Sequence, residues 1–424
     1  MRILITGSSG FIGRHLAARL AEAGHDLTCV VRRCEAHSVP GTCLEKDFAT
    51  ATHPQDWSAT VAGMDVVINA VGIFKESSTQ TFDAIHRAAP CALFLAAAQA
   101  GVAHVVQVSA LGADDGAQSG FHRSKKAADD FLMALPGVRA SIVQPSLVYG
   151  PGGASAALFE TMASLPVIVV PGSGNQAVQP VHIDDLVSAV EALVRSGKAC
   201  GRVAMVGPVA LTLRQFLASL RAAMDVRGPV SYLPVPMPWL HRAARLGKRL
   251  PGAWPDEDAL DMLERGNTAP AVGIFSLLGR KPEAAERFIP ASYAEAVRSH
   301  ATMRWLLPVL RVCIGLVWLV TGIVSLGVYP VEDSYRLLAR TGTPEWLQPV
   351  FLYGAALLDI ALGAMTLWPY RPRWLWHMQA GLVLAYTLII TWKLPEFWAH
   401  PYGPVLKNLP FLAGLWILRE LDRR

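Results

Sequence analysis

Three glycines, Gly7, Gly10 and Gly13, stand three residues apart behind a short apolar run, Arg2 to Thr6. Glycine at that spacing suits a phosphate. The turn must be tight, and the backbone must reach a pyrophosphate held at a helix N-terminus. Ser9, Phe11 and Ile12 share the turn and are expected at the cofactor with the glycines. The next apolar run, Leu27 to Val31, ends in Arg32 and Arg33. An acid there would hydrogen-bond the ribose hydroxyls of NAD. A guanidinium instead forks onto a 2′-phosphate, so the pair favours NADP over NAD. Asp47, after an expected third strand, is placed to accept from the adenine amino group.

These residues need a scaffold. Ile12, Leu16 and Leu20 recur at helical spacing, with Gly24 as a stop. Further strand-like runs follow at 64–72, 104–112 and 139–150, with helical stretches between them. Alternating strands and helices predict an α/β, Rossmann-like, doubly wound parallel sheet, with ligands at the carboxyl ends of the strands. Asn69, Ala70, Gly72, Ser109, Pro145 and Ser146 fall at or beside those ends.

The chain has 424 residues, enough for two or three domains; 52% are hydrophobic and only 17% charged. Residues 301–424 carry 11 Lys and Arg against 7 Asp and Glu, and the first 300 carry 27 against 26. A nearly neutral large domain gives no support for nucleic-acid binding. The six cysteines form no C-x-x-C pair and no zinc-ligand spacing, so no metal is expected, and the thiols read as reduced and mostly buried. "MRILITG" lacks the pattern of a signal peptide.

The motifs "TGSSGFIG", "NAVG", "VSALG", "RSKKAADD", "QPSLVYGPGG" and "QPVHIDDL" resemble an extended or atypical short-chain dehydrogenase/reductase. "DALDMLERGNTA" and "IFSLLGRKPEAAERFIPASY" are similar to the branch containing the nucleotide-binding accessory subunit of respiratory complex I. The likeness covers residues 1–297, including a small substrate lobe. It implies a serine, a tyrosine and a lysine acting together on a nicotinamide cofactor. Ser109 matches the serine and Lys125 the lysine, which would also bind the nicotinamide ribose. Phe121 stands at the tyrosine position. Losing a positioned general acid costs about 10² to 10⁴ in rate, so the standard proton relay is not expected to operate. His122 is a replacement candidate, although one helical step turns it about 100° from Lys125. The alternative for His122 is a surface histidine. Tyr149 and His182 are further candidates; His182 equally suits packing before a helix capped by Asp184 or Asp185.

Residues 298–424 read as an all-α membrane domain, with four spans at about 305–329, 346–368, 374–394 and 404–420. Nine of the 12 tryptophans lie in this part, among them Trp305, Trp346, Trp368, Trp374 and Trp392 near span ends, as an aromatic belt would place them. Arg298, Arg304, Arg371, Arg373, Arg419, Arg423 and Arg424 would share one face, which predicts a cytoplasmic nucleotide domain. "GIVSLG", "LLDIALG" and "PEFWAHPYGPVLKNLP" resemble the DoxX-like four-helix membrane proteins, whose relatives include quinone-linked oxidoreductase subunits. Asp359 is an intramembrane acid and a functional candidate. Arg311, Lys393, Glu396, His400 and Lys407 are expected either to cluster or to snorkel at the membrane edge. Between the two parts, Trp239, Leu240, Ala243, Leu246 and Leu250 alternate with Arg242, Arg245, Lys248 and Arg249. That pattern suits either an anionic bilayer surface or a surface helix of the substrate lobe. The expected partners are thus a lipid bilayer and a small hydrophobic or quinone-like substrate. If turnover is lost, the expectation becomes a nucleotide-binding scaffold or redox sensor with a membrane protein partner. An epimerase or dehydratase ranks last, since it needs the same tyrosine.

Overall fold

The computed structural model describes residues 1–35, 39–247 and 257–422. Lys248, Arg249, Leu250, Arg423 and Arg424, which entered the charge arguments, lie outside the described residues. The chain divides into two units, Met1–Ser299 and His300–Arg424.

The first unit is built on seven parallel strands. They are β1 (Arg2–Thr6), β2 (Asp26–Val31), β3 (Thr42–Glu45), β4 (Val66–Asn69), β5 (His104–Val108), β6 (Arg139–Pro145) and the edge strand Gly201–Met205. From that edge strand the order runs β6, β5, β4, β1, β2, β3. The chain winds outward from β1 in one direction and from β4 in the other, so the switch point lies between them. The register pairs Thr6 with Val30 on one side and with Asn69 on the other. Strands buried on both faces read as unbroken apolar runs, which is why "ILI" forms β1. Ile3 and Ile5 join the core formed with Leu16 and Leu20 of the helix Phe11–Glu22. Leu4 joins the other core, with Leu93 and Phe94 of the helix Ala89–Gln99. Short two-stranded pairings, such as Val167–Pro171 with Ser231–Val235, lie outside the seven-stranded sheet.

The cysteine expectation is overturned at one pair: Cys34 and Cys43 form a disulfide across the β2–β3 connection. Parallel neighbours bring the end of β2 beside β3, so residues nine apart in sequence meet. Cys29, Cys91, Cys200 and Cys313 are free thiols.

The second unit is helical. Among the described residues, three stretches are long and apolar enough to cross a membrane: Ala291–Val328, Glu345–Leu367 and Trp374–Lys393. The fourth expected span, 404–420, is not of that length. It forms the helix Asn408–Leu421, of 14 residues, because Pro401, Gly403 and the residues up to Lys407 are held in turns. A further helix, Val331–Arg340, occupies the first connection. Small residues let the long helices approach: a Cβ on Gly322 would lie 2.6 Å from the Ala356 carbonyl oxygen, and one on Gly363 would lie 2.9 Å from that of Gly315. The polar residues near Arg311 and Lys407 do not form one cluster. Arg311 pairs with Asp422, which Arg371 also meets at 3.0 Å, while Glu396 pairs with Arg340.

Candidate functional site

At the switch point the carboxyl ends of β1, β2 and β4 open into a cleft of about 140 Å³. Its lining includes Gly7, Ser9, Gly10, Arg32, Asp47, Ala70 and Gly72, all expected from the sequence. Gly7 has φ +72°, and a Cβ there would lie 2.9 Å from the Ala70 backbone. A Cβ on Gly13 would lie 2.1 Å from the Gly7 carbonyl oxygen. The loop is therefore a cradle that only glycine fits. The helix begins at Phe11, so the first-turn N–H groups of Phe11, Ile12 and Gly13 lack intrahelical acceptors and favour an anion. The Phe11 ring itself packs against Gly150 and Gly153.

At the other end of the cleft Arg32 and Arg33 are exposed, and among the described residues neither makes an ion pair. Only Arg32 lines the cleft, and Lys46 joins it there. The sequence reading missed Lys46, whose amine also donates to the Asp56 carbonyl at 2.7 Å. Its signal was available, since it precedes Asp47 at the end of β3. Asp47 Oδ1 accepts from the Ala49 N–H at 3.0 Å, which fixes the turn that carries it.

Three expected cofactor residues are turned to other work. Asn69 is fully buried: it accepts from the Thr6 hydroxyl at 2.6 Å and donates to Gln107 at 2.7 Å, tying β1, β4 and β5 together. The Ser146 hydroxyl donates to the Gln179 carbonyl at 2.5 Å, and its N–H to the Met205 carbonyl at 3.0 Å. Pro145 ends β6 and is paired with Met205.

The helix Gly120–Ala134 presents Phe121, Lys125 and Asp129 as one buried stripe, each four residues after the last. The Lys125 ammonium donates to the carbonyls of Val71 at 3.0 Å and Val108 at 3.1 Å, just beyond β4 and at the end of β5. It lies 3.2 Å from where a Gly72 Cβ would stand, so it reaches the inner end of the cleft. Burial pulls it down to about 8, opposed by Asp129. Burial pushes Asp129 up to about 6, opposed by a hydrogen bond and by Lys125. That bond comes from Ser109, whose hydroxyl donates to Asp129 Oδ2 at 2.5 Å. The hydroxyl expected to orient a substrate therefore points into the protein. Asp129 was missed, although one helical turn after Lys125 was its signal.

Phe121 is packed in aromatic side chains. Phe74 stacks on it at 5.2 Å, His86 meets it edge-on at 5.3 Å, and Phe82 at 6.1 Å. His86 had no sequence signal. Its Nε2 accepts from the Ile73 N–H at 3.0 Å, so the ring proton sits on Nδ1, 3.0 Å from the Ser124 hydroxyl. Ser124 in turn donates to the Phe121 carbonyl. Burial and the nearby Lys125 push His86 down to about 2, which keeps it neutral.

The surface alternative for His122 does not hold, because the residue is buried. Its Nδ1 lies 3.1 Å from the Ser119 hydroxyl, and its Nε2 faces Gly112. Burial and Arg265 lower its pKa. Tyr149 donates to Glu160 at 2.9 Å, and burial with that neighbour raises its pKa. His182 is itself the helix cap, with Nδ1 accepting from the Asp184 N–H at 3.3 Å, so the expected Asp184 or Asp185 cap is corrected. Asp185 instead accepts from Arg280 and from the Glu283 N–H.

Residues 3–207 match the NAD dependent epimerase/dehydratase family, and residues 315–416 match the DoxX-like family. The chain is 32% identical over 197 residues to a ceramide reductase of Caulobacter vibrioides, covering 46% of this chain and 61% of that protein. It is 28% identical over 249 residues to the mitochondrial NADH dehydrogenase (ubiquinone) 1 alpha subcomplex subunit 9 of Arabidopsis thaliana, covering 55% and 60%. The chain thus spans about three-fifths of the length of these two relatives. A nucleoside-diphosphate-sugar epimerase from Staphylococcus aureus superposes with a TM-score of 0.54 at 17% identity, over 68% of this chain and 99% of that one, which shows a common fold. A glycine cradle at the switch point of a seven-stranded parallel sheet and a separate set of long apolar helices agree with both matches: the chain joins an NAD-binding domain of the epimerase/dehydratase type to a C-terminal DoxX-like domain.

Proposed function

We propose that the chain is a membrane-anchored, NADP(H)-binding oxidoreductase acting on a hydrophobic, membrane-dissolved substrate such as a quinone or a lipid. The observation that carries this reading is one chain holding both a nucleotide cleft with Arg32 and Lys46 at its outer end and three helices long enough to cross a bilayer. Two cations at that end suit a 2′-phosphate. Many large apolar side chains on the long helices face outward, among them Val320, Leu357 and Leu388, as lipid-facing residues would. The names of the two relatives, a reductase of a lipid and a subunit of a quinone-reducing complex, agree with such a substrate.

The nicotinamide, when bound, supplies a hydride. The chain's own residues do the rest. The glycine loop and the first turn of the helix Phe11–Glu22 hold the pyrophosphate. Lys125, fixed by two carbonyls beside Gly72, holds the nicotinamide ribose. Phe121, with the exposed Phe74 stacked on it, gives the reacting region an apolar wall. No side chain at the tyrosine position delivers a proton, so the reaction best suited is one in which hydride acceptance and protonation are separable, as in a quinone.

A second reading, a nucleotide-binding scaffold without turnover, is favoured by one geometry. The Ser109 hydroxyl is committed to Asp129, and Phe121 is enclosed by aromatic rings. NADPH binding and oxidation by the full-length protein, with and without a short-chain quinone, separates the two. Quinone-dependent oxidation supports the oxidoreductase. Tight binding without oxidation, with activity on a carbonyl substrate appearing only in Phe121→Tyr, supports the scaffold.

A further inference from the structure

The helix Gln348–Leu367 buries one stripe that includes Leu352, Ala356, Asp359, Gly363 and Thr366. Thr366 on that stripe and the polar groups that meet it are partnered. The Trp318 indole donates to Gln379 at 2.8 Å, Gln379 donates to the Thr366 hydroxyl at 2.8 Å, and Thr366 donates to the Leu362 carbonyl at 2.7 Å. The other buried carboxyl of this unit, Asp422, is held by Arg311 and Arg371. Asp359 differs. It is 5% exposed, its Oδ1 is buried without a hydrogen-bond partner, and among the described residues no cation pairs with it. It is the twelfth residue of a 20-residue helix, roughly 17 Å from the start at 1.5 Å per residue, which is mid-depth for a span.

An unpartnered buried polar group costs about 1–3 kcal/mol, and more if charged. Leucine would fill this stripe without that cost, so the acid calls for a ligand as its explanation. We propose that Asp359 is a hydrogen-bonding site inside the helical unit for the oxygen-bearing head of a neutral, membrane-dissolved molecule. The proposal rests on the membrane reading above and adds where the substrate's head is held. A protonated carboxyl both donates and accepts, so it matches carbonyl and hydroxyl groups. The apolar tail would run along the outward face, where Leu357 and Leu358 are exposed.

The test uses the full-length protein in lipid nanodiscs without nucleotide. Two probes are added separately: a short-chain benzoquinone, and a short-chain diacylglycerol as a neutral lipid alcohol. Infrared difference spectra follow the carboxyl stretching region. One probe is expected to shift a single carboxyl band, and Asp359→Asn to remove that band. Asp359→Leu, checked for folding by thermal unfolding, is expected to weaken that probe at least about tenfold, the loss of roughly one hydrogen bond. A shift by the quinone alone or by the alcohol alone identifies the head group. Insertion with no band change for either probe, or a band that survives in Asp359→Asn, overturns this proposal alone. A chain that does not enter the disc overturns it together with the membrane reading.

Discussion

Lys125 and Asp129 share a buried space, and burial drives each towards its neutral form. This has a measurable sign. The Asp129 carboxyl titrates at about 6 in the folded chain, against about 4 for an ordinary aspartate. The folded state therefore binds the proton more tightly, gains stability as pH falls through 6, and stops gaining near 4. Asparagine cannot follow. Between pH 4 and 6.5 the wild type is therefore expected to lose stability relative to Asp129→Asn as pH rises. Hydrogen exchange at the amides of β5 in the full chain measures it; a gap that does not change with pH would sink the argument. At the outer end of the cleft, Arg32→Ala is expected to weaken NADPH about 10- to 100-fold, the worth of a charged hydrogen bond, and to leave NADH unchanged. Calorimetric titration of both nucleotides decides it. Gly7 and Gly13 were legible in the sequence because their geometry tolerates no side chain. The Ser109 match was legible too, but not the direction of its hydroxyl, which depends on a partner 20 residues away. His86 was illegible for a like reason: its role comes from Ile73, Ser124 and Lys125 meeting it in space.

The elements that hold these residues were read from two periods, and each period fails in its own way. The strands of the sheet are short apolar runs between glycines and helices, so β1 was found at its observed bounds and β5 and β6 at their starts, while the runs expected for β4, β5 and β6 continued three to five residues past their ends. A parallel sheet also forces the switch point, so the cleft's location followed from the element order. The Cys34–Cys43 bond did not follow, since it needs the β2–β3 register. In the helical unit, hydropathy found the three long stretches but ran through the turns before Asn408. It also passed over the helix Val331–Arg340, whose polar face lowers any average. The glycine turn gives the sharpest test at this scale. Gly13→Ala places a Cβ against the Gly7 carbonyl, and the backbone must move. It is expected to cost about 1–3 kcal/mol and to abolish nucleotide binding. Gly24→Ala meets nothing within 4 Å but has φ +78°, so it is expected to cost about 1 kcal/mol and leave binding intact. Equal loss of binding in both variants would mean that the cradle is not what holds the nucleotide.

At the scale of the whole molecule, the charges of the helical unit make a claim about sidedness. Arg311, Arg371 and Asp422 meet, although they belong to the first long helix, the connection before Trp374 and the end of the chain. Arg340 and Glu396 meet across two other connections. Two separate sets of contacts, drawn from alternate connections, are what helices running up and down would produce. Arg304, Arg373 and Arg419 add to the first set, and Glu332, Asp333 and Glu345 to the second. Basic residues favour the cytoplasmic face, so the first set is expected there, on the side where NADPH is found. Single cysteines introduced as Ser334→Cys and Arg373→Cys test this with a membrane-impermeant maleimide, the parent chain serving as background for its own thiols. Arg373→Cys is expected to react only in inverted vesicles and Ser334→Cys only in intact cells. The reverse pattern would keep the spans and turn the chain over, leaving the nucleotide cleft without its cofactor supply. Reaction of both from one side would mean that the helix Gln348–Leu367 between them does not cross, and a substrate head held at mid-depth on it would lose its physical basis.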